Sequence, residues 1–549
     1  MNKMSILPIQ KPRQHEQVDS KLKEQTLGTV QLRDNETNEI ILVPTPSNDP
    51  KDPLNWSSTR KYYIFSLTCF GIFFAHAVIV GPAVALELIT IEFFGPGPDS
   101  VRNNIAKASY LQTGCSLMIG VGNLIWVPLA IKYGRRPVYI VSYLLLTASC
   151  IWSGVAASFG SALVGRLFLG FACAAAEIVA PLTITDLFFL HQRGRAMVIY
   201  TCSLSAGVGV GVVFSGLITQ SYSWRMIFWV FSAFVGTCTV LVLFTFPETH
   251  YRRRSTMELE VVSTRRDSAK PCSQYLEDPP SSSSHASSPS KWKTYLAAMR
   301  VFSGTYTSEP LLALMFRPLV AIALPAVFWA TLVNAITTGM IVVISANFSN
   351  AFSTVYDFQT WESGLTYLST ILGSFLAIFC GGHFTDWVAD KLTIRSGGTR
   401  IPEMRLPAMV ISLITGPLSC ILYGLGFEKE LHWICPTIGI GLVNFTTVQS
   451  NNVALVYILD SYRPIAGEVI VTQSFFKAVL GFLLSFYVNV WVQESGYLSA
   501  FGTLAGISAT VFLSIIPFYF FGDRMRQATW KWKFSRQFLH WHPDREVGE

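Results

Sequence analysis

Four ionisable side chains stand in stretches otherwise too apolar to carry charge: His76, Arg166, Glu177 and Lys477. Such groups are costly in hydrocarbon, so they usually face a bundle interior or an aqueous cavity. Glu177 is the first choice for proton coupling, ahead of His76, Lys477 and Asp386. A carboxyl that alternates between dry and wet surroundings can load a proton on one side and release it on the other. His76 titrates in the physiological range, but only its depth in the span supports it. Lys477 would have to give up a proton from an ammonium in every cycle, which demands strong desolvation. Arg166 and Glu177 are eleven residues apart. A helix places them on one face about 16 Å apart along its axis, too far to pair but able to line one cavity.

A second set of residues could hold a solute. Asn444, Thr447 and Asn451 lie at i, i+3 and i+7, and Thr446, Gln449, Ser450 and Asn452 make the same span unusually polar. So many polar groups favour a wet cavity wall. Asn334, Thr337 and Thr338 form a smaller version. Other chemistry is missing: there is no phosphate-binding Gly-x4-Gly-Lys loop, no Gly-x-Ser-x-Gly elbow, no His-Glu-x-x-His and no His/Cys cluster. No cofactor, no metal and no enzymatic activity are expected. Asn347-Phe348-Ser349 is a glycosylation sequon on the outer side, close to the seventh apolar run.

These residues are positioned by long apolar runs. The chain has 549 residues, 51% hydrophobic and 14% charged, where a soluble domain carries about 25% charged residues. Residues 1–61, 250–317 and 523–549 hold 43 of the 75 charges, leaving 32 for the other 393 residues. That excludes a soluble enzyme. A window of about 20 apolar residues gives twelve spans: 62–86, 107–131, 137–157, 162–184, 197–219, 226–246, 319–345, 364–384, 406–426, 433–457, 468–491 and 498–521. Runs this long are helices, so the fold class is an all-α membrane protein with twelve transmembrane helices in two six-helix, pseudo-symmetric bundles. The expected division is a tail (1–61), a bundle (62–249), a linker (250–317), a second bundle (318–522) and a tail (523–549). The tails and the Ser- and Pro-rich linker read as disordered.

The short loops give the orientation. With the N-terminus inside, ten basic residues fall in cytoplasmic loops and four outside, so both termini and the linker are expected inside. The net charge of +7 is loop bias, with no nucleic-acid partner. Nine of the ten cysteines lie in or beside apolar runs, which argues against disulfides. Residues 1–17 have no apolar core, so a cleavable signal is not expected.

Lys132-Tyr133-Gly134-Arg135-Arg136-Pro137 forms a basic turn after the second span. Gly382-His383-Phe384-Thr385-Asp386, followed by Asp390 and Lys391, stands at the equivalent place six spans later. This recurrence resembles the loop signature of the major facilitator superfamily, with Ile131 where that family has Asp and Val127 where it has the first Gly. Arg166-Leu-Phe-Leu-Gly170, His191-Gln-Arg193-Gly194-Arg195, Trp224-Arg225 and Phe246-Pro247-Glu248-Thr249 match further family patterns in order. Ile401-Pro402-Glu403-Met404-Arg405-Leu406 and Asp52-Pro53-Leu54-Asn55-Trp56-Ser57 are similar to stretches of fungal drug:proton antiporters. Gly207, Gly209, Gly211 and Gly216 allow close helix approach and resemble the antiporter glycine signature, with Val212 in place of its Pro and Ser215 in place of one Gly.

The resemblance implies a major facilitator fold in which spans one, four, seven and ten line a central site. It implies that Lys132, Gly134, Arg135, Arg136, Gly382, Asp386 and Asp390 form a cytoplasmic charge network that latches one transport state. The expected function is proton-coupled export of a drug-like compound or secondary metabolite by a monomer in the plasma membrane, with the vacuolar membrane as second choice. The alternative is import of a small polar or cationic solute such as a polyamine. A non-transporting sensor and a polytopic enzyme rank lower. The expected partners are the small-molecule substrate, protons and the lipid bilayer.

Overall fold

A computed structural model describes residues 49, 52–97, 104–105, 107–251, 300–302, 304–307, 309–396, 401–462, 465–530 and 532. Most of the two expected tails, linker residues 252–299, Arg400 and Arg463 lie outside these. The described residues form helices, turns and loops without a strand. The first six long helices are α1 Ser58–Phe94, α2 Tyr110–Tyr133, α3 Arg135–Val155, α4 Phe159–Leu187, α5 Leu190–Ser221 and α6 Arg225–Thr245. The second six are α7 Pro325–Tyr356, α8 Thr360–Arg395, α9 Pro402–Glu428, α10 Ile434–Ser461, α11 Ala466–Ser495 and α12 Tyr497–Thr529.

Among the described residues, eleven helices are long and apolar enough to cross a membrane, α11 through Gly467–Leu484. The twelfth, α10, has 28 residues, ample for a bilayer. It falls short on apolarity because of the polar residues from Asn444 to Asn452. Burial sorts the helices into centre and rim. In α4 83% of the apolar stretch is buried and in α1 and α7 78%, against 39% in α6 and 22% in α12. The exposed apolar side chains, such as Val141, Phe244, Leu372, Phe379 and Phe520, make the surface that lipid covers.

Two interruptions are local and have causes. Gly81–Ala85 tightens into a 3-10 turn with Pro82 near its start, because Pro82 has no N–H to continue the ladder. Residues Ile378–Phe384 of α8 widen into a π turn over Gly381 and Gly382. The seventh span starts later than expected, at Pro325, a proline in the first turn where it costs no hydrogen bond. The apolar residues before it form a separate short helix, Leu311–Ala321.

The later start corrects the reading of the sequon. Asn347 lies inside α7, 5% exposed, with Ser349 donating to the Val84 carbonyl at 2.9 Å. An amide packed into a helix interface is not presented for glycan attachment.

The halves repeat one ion pair. Arg135 at the start of α3 meets Asp186 at the end of α4 (3.3 Å). Arg405 near the start of α9 meets Asp460 at the end of α10 (3.6 Å).

Candidate transport site

Small residues bring the two halves together at mid-depth. A Cβ on Gly120 of α2 would lie 2.5 Å from the Ala478 methyl of α11, so only glycine admits this approach. Ala174, Ala175 and Ala176 keep α4 close to its neighbours. Glu177 sits ten residues before the C-terminal end of α4, and Lys477 eleven residues after the start of α11. At ~1.5 Å per residue both lie about 15 Å from the same face.

At that depth Lys477 donates to Glu177 in a direct ion pair. The Glu177 side chain is 6% exposed and that of Lys477 18%. His76 of α1 brings Nε2 to 3.8 Å from the other carboxylate oxygen, while its Nδ1 lies 3.2 Å from the Ile72 carbonyl. A hydrogen on Nδ1 directed at that carbonyl leaves Nε2 facing Glu177, where it can accept or deliver a proton. The Tyr200 hydroxyl of α5 donates to the Glu177 backbone carbonyl at 2.5 Å. Three residues named separately from sequence therefore form one cluster.

Arg166 does not join it. Its guanidinium donates to the carbonyls of Val78 (3.0 Å), Ile79 (2.6 Å) and Leu111 (3.2 Å) and to Gln112 Oε1 (2.6 Å). Pro82 offers no N–H to Val78, so Arg166 caps carbonyls that the broken α1 leaves open. It lines a separate small space with Trp224 and Phe228.

The cluster forms part of the wall of a cavity of about 180 Å³ between the halves. Asn334, Thr338, Asn444, Thr447 and Asn451 line it. Thr337 lies behind the wall and donates to Asn451 Oδ1 at 3.1 Å, joining α7 to α10. Asn444 spends its amide on the Thr370 carbonyl and Ser374 Oγ of α8, both at 2.7 Å. Thr447 donates to the Val443 carbonyl at 2.9 Å. The polar stripe thus both faces the cavity and binds helices to each other. Sequence reasoning missed Tyr200, Ser205, Gln473 and Ser474, which also line the cavity. The i, i+4 spacing of Gln473 and Lys477 was the available signal.

The loop residues gather at one end of the bundle. Gly134 has φ +98°, a turn that favours glycine. Glu248 accepts from the backbone N–H groups of Arg135 and Arg136 at 2.9 and 3.2 Å, and the Arg136 side chain donates to the Phe246 and Leu243 carbonyls. Lys132 donates to the Glu309 carbonyl at 3.0 Å. Asp386 lies 3.7 Å from Arg405 and faces Gly194 of α5, where a Cβ would come within 3.6 Å of it. Gly382 packs on Val198 of α5, and Asp390 is exposed. Ile131 instead offers a methyl to Gly467 at the start of α11. Gly207 and Gly211 seat α5 on the α1 backbone at Phe73 and Ala77, and Gly216 meets Gly364 of α8.

The family model described as Major Facilitator Superfamily matches residues 67–485. An MFS-type transporter of Schizosaccharomyces pombe is 24% identical, over 90% of this chain and 89% of its own length. The MFS transporter cpaT of Aspergillus oryzae is 25% identical, over 87% and 90%. Among solved structures, the proton:xylose symporter XylE superposes with a TM-score of 0.56 at 13% identity, over 84% of this chain and 97% of XylE.

Proposed function

The chain belongs to the major facilitator superfamily, and from that membership we propose that it is a proton-coupled secondary active transporter. It carries a small organic solute through the cavity between its halves by alternating access. One observation carries the reading: Glu177 is buried, ion-paired to Lys477 from the other half and flanked by His76. A carboxylate so placed is a proton site whose charge is felt by both halves at once.

The ion pair and the amide-rich wall favour uptake of a small polar solute, with proton and solute sharing a step. A second reading, export of a drug-like compound or secondary metabolite, is favoured by the seating of Gly207 and Gly211 on α1, in keeping with the antiporter-like register. A monomer in the plasma membrane is the proposed state and location.

Purified protein in liposomes under an imposed pH gradient tests the coupling. Solute accumulation should collapse on adding a protonophore, and Glu177→Gln should abolish accumulation while keeping binding. Accumulation that survives the protonophore would sink the proposal.

A further inference from the structure

The cavity's charge and hydrogen-bonding capacity are unevenly distributed. Among the described residues Lys477 donates to Glu177 alone, so two of its three N–H groups remain for the cavity. Of the pair, Lys477 is also the more exposed member. Asn334 lines the same cavity and is 7% exposed; among the described residues its Oδ1 has no hydrogen-bond partner, a buried acceptor that a bound donor would satisfy. We infer that the solute is a small organic anion, a hydroxycarboxylate held by Lys477 and Asn334, and that it moves in the same step as one proton on Glu177. This inference rests on the proton-coupled reading and adds the solute class and the sign of coupling.

Charge balance gives the sign. Four groups face Glu177: Lys477 from α11, His76 from α1, the Tyr200 hydroxyl from α5, and Cys173 on α4 itself, whose Sγ lies 3.9 Å from His76 Nδ1. With His76 neutral, the empty site holds one carboxylate and one ammonium and is neutral. The solute carboxylate accepts from the N–H groups of Lys477 that face the cavity and draws the ammonium off Glu177. A proton from cavity water, directly or through His76 Nε2, adds to the freed Glu177 oxygen. The loaded site then holds a neutral carboxylic acid and an ammonium–carboxylate pair, and is again neutral. A site carrying only the proton, or only the anion, would enclose one unpaired charge, which a dry interior disfavours. The two neutral states can therefore close and cross, and the two charged states cannot. An organic cation fits this site poorly, since it would crowd two positive charges onto one carboxylate.

The test measures binding to the purified wild-type protein in weakly buffered detergent solution. The probes are lactate, 3-hydroxybutyrate and mandelate, their amides, and 1-amino-2-propanol. At least one carboxylate should bind with uptake of about one proton, and its affinity should fall about tenfold per pH unit where Glu177 is ionised. The amides and the amine should bind at least tenfold more weakly. Lys477→Gln should lose binding and Lys477→Arg restore it. Glu177→Gln should bind the carboxylate at a pH-independent affinity without proton uptake, and in liposomes should exchange it without accumulating it. Failure of every carboxylate to bind, or amine binding with proton release, would overturn the anion class while leaving proton coupling intact. Carboxylate binding to the wild type with no proton taken up would overturn the coupling itself. The wild-type measurements decide even if a variant fails to fold.

Discussion

Removing the Lys477 ammonium while Glu177 stays in place strands a carboxylate in a dry wall, a change that costs about 3–5 kcal/mol when a buried pair loses one partner. Lys477→Ala should therefore unfold in detergent at a clearly lower temperature than the wild type. The double variant Glu177→Gln/Lys477→Met, which removes both charges, should recover most of that loss and still not accumulate solute. A double variant no more stable than Lys477→Ala would show that the pair is not coupled. Arg166 behaves differently because its partners are carbonyls and an amide. Arg166→Met leaves several buried acceptors open, at about 1–3 kcal/mol each, and should reduce stability without altering the pH profile of transport in the fraction that folds. The sequence marked His76, Glu177 and Lys477 as costly residues, since each interrupts an apolar run. Their meeting was not legible, because α4 and α11 become neighbours only through tertiary packing and the pair spans 300 residues. Arg166 was read toward the cavity because helical periodicity shows a shared face and not the broken turn at Pro82 that takes up the guanidinium.

At the level of helices, close backbone approach and interhelical hydrogen bonds hold the elements that carry the site. Gly170 of α4 lies directly against the Cys115 carbonyl of α2, while a Cβ on Gly502 or Gly506 of α12 would meet none of the described residues within 4 Å. Gly170→Val should abolish folded protein on size-exclusion chromatography, and Gly502→Ala should leave yield and melting temperature unchanged or slightly raised. The bond from Thr337 to Asn451 ties α7 to α10. A double-mutant cycle with Thr337→Val and Asn451→Ala should give a coupling energy of about 0.5–2 kcal/mol, and additive effects would assign both residues to the cavity alone. The polar stripe of α10 was legible from its i, i+3, i+7 spacing. Which of its amides were already spent on α8 was not, since donors and acceptors pair in three dimensions.

Across the whole molecule, the repeat is charged on one side and apolar on the other. Asp386 faces the start of α5, whereas Ile131 faces the start of α11. Ile131→Asp places a carboxylate near a helix N-terminus, worth about 0.3–1 kcal/mol. It should favour the state in which α2 and α11 touch and slow turnover several-fold in liposomes; a turnover that is unchanged or faster would count against a latch there. The loop charges that predict a cytoplasmic linker can be checked with Cys272. In a chain whose other cysteines are replaced, a membrane-impermeant thiol reagent should label it in inside-out vesicles and not in intact cells. The helix that does most to wet the cavity, α10, is also the one short of apolarity, and that has a consequence for biosynthesis. A segment this polar leaves a translocation channel for lipid reluctantly when alone. Its partners Thr337 on α7 and Thr370 and Ser374 on α8 are synthesised earlier, so they can receive it as it emerges. Membrane integration of α10 is then a cooperative act of the second half, and its order of synthesis is part of how the cavity is made.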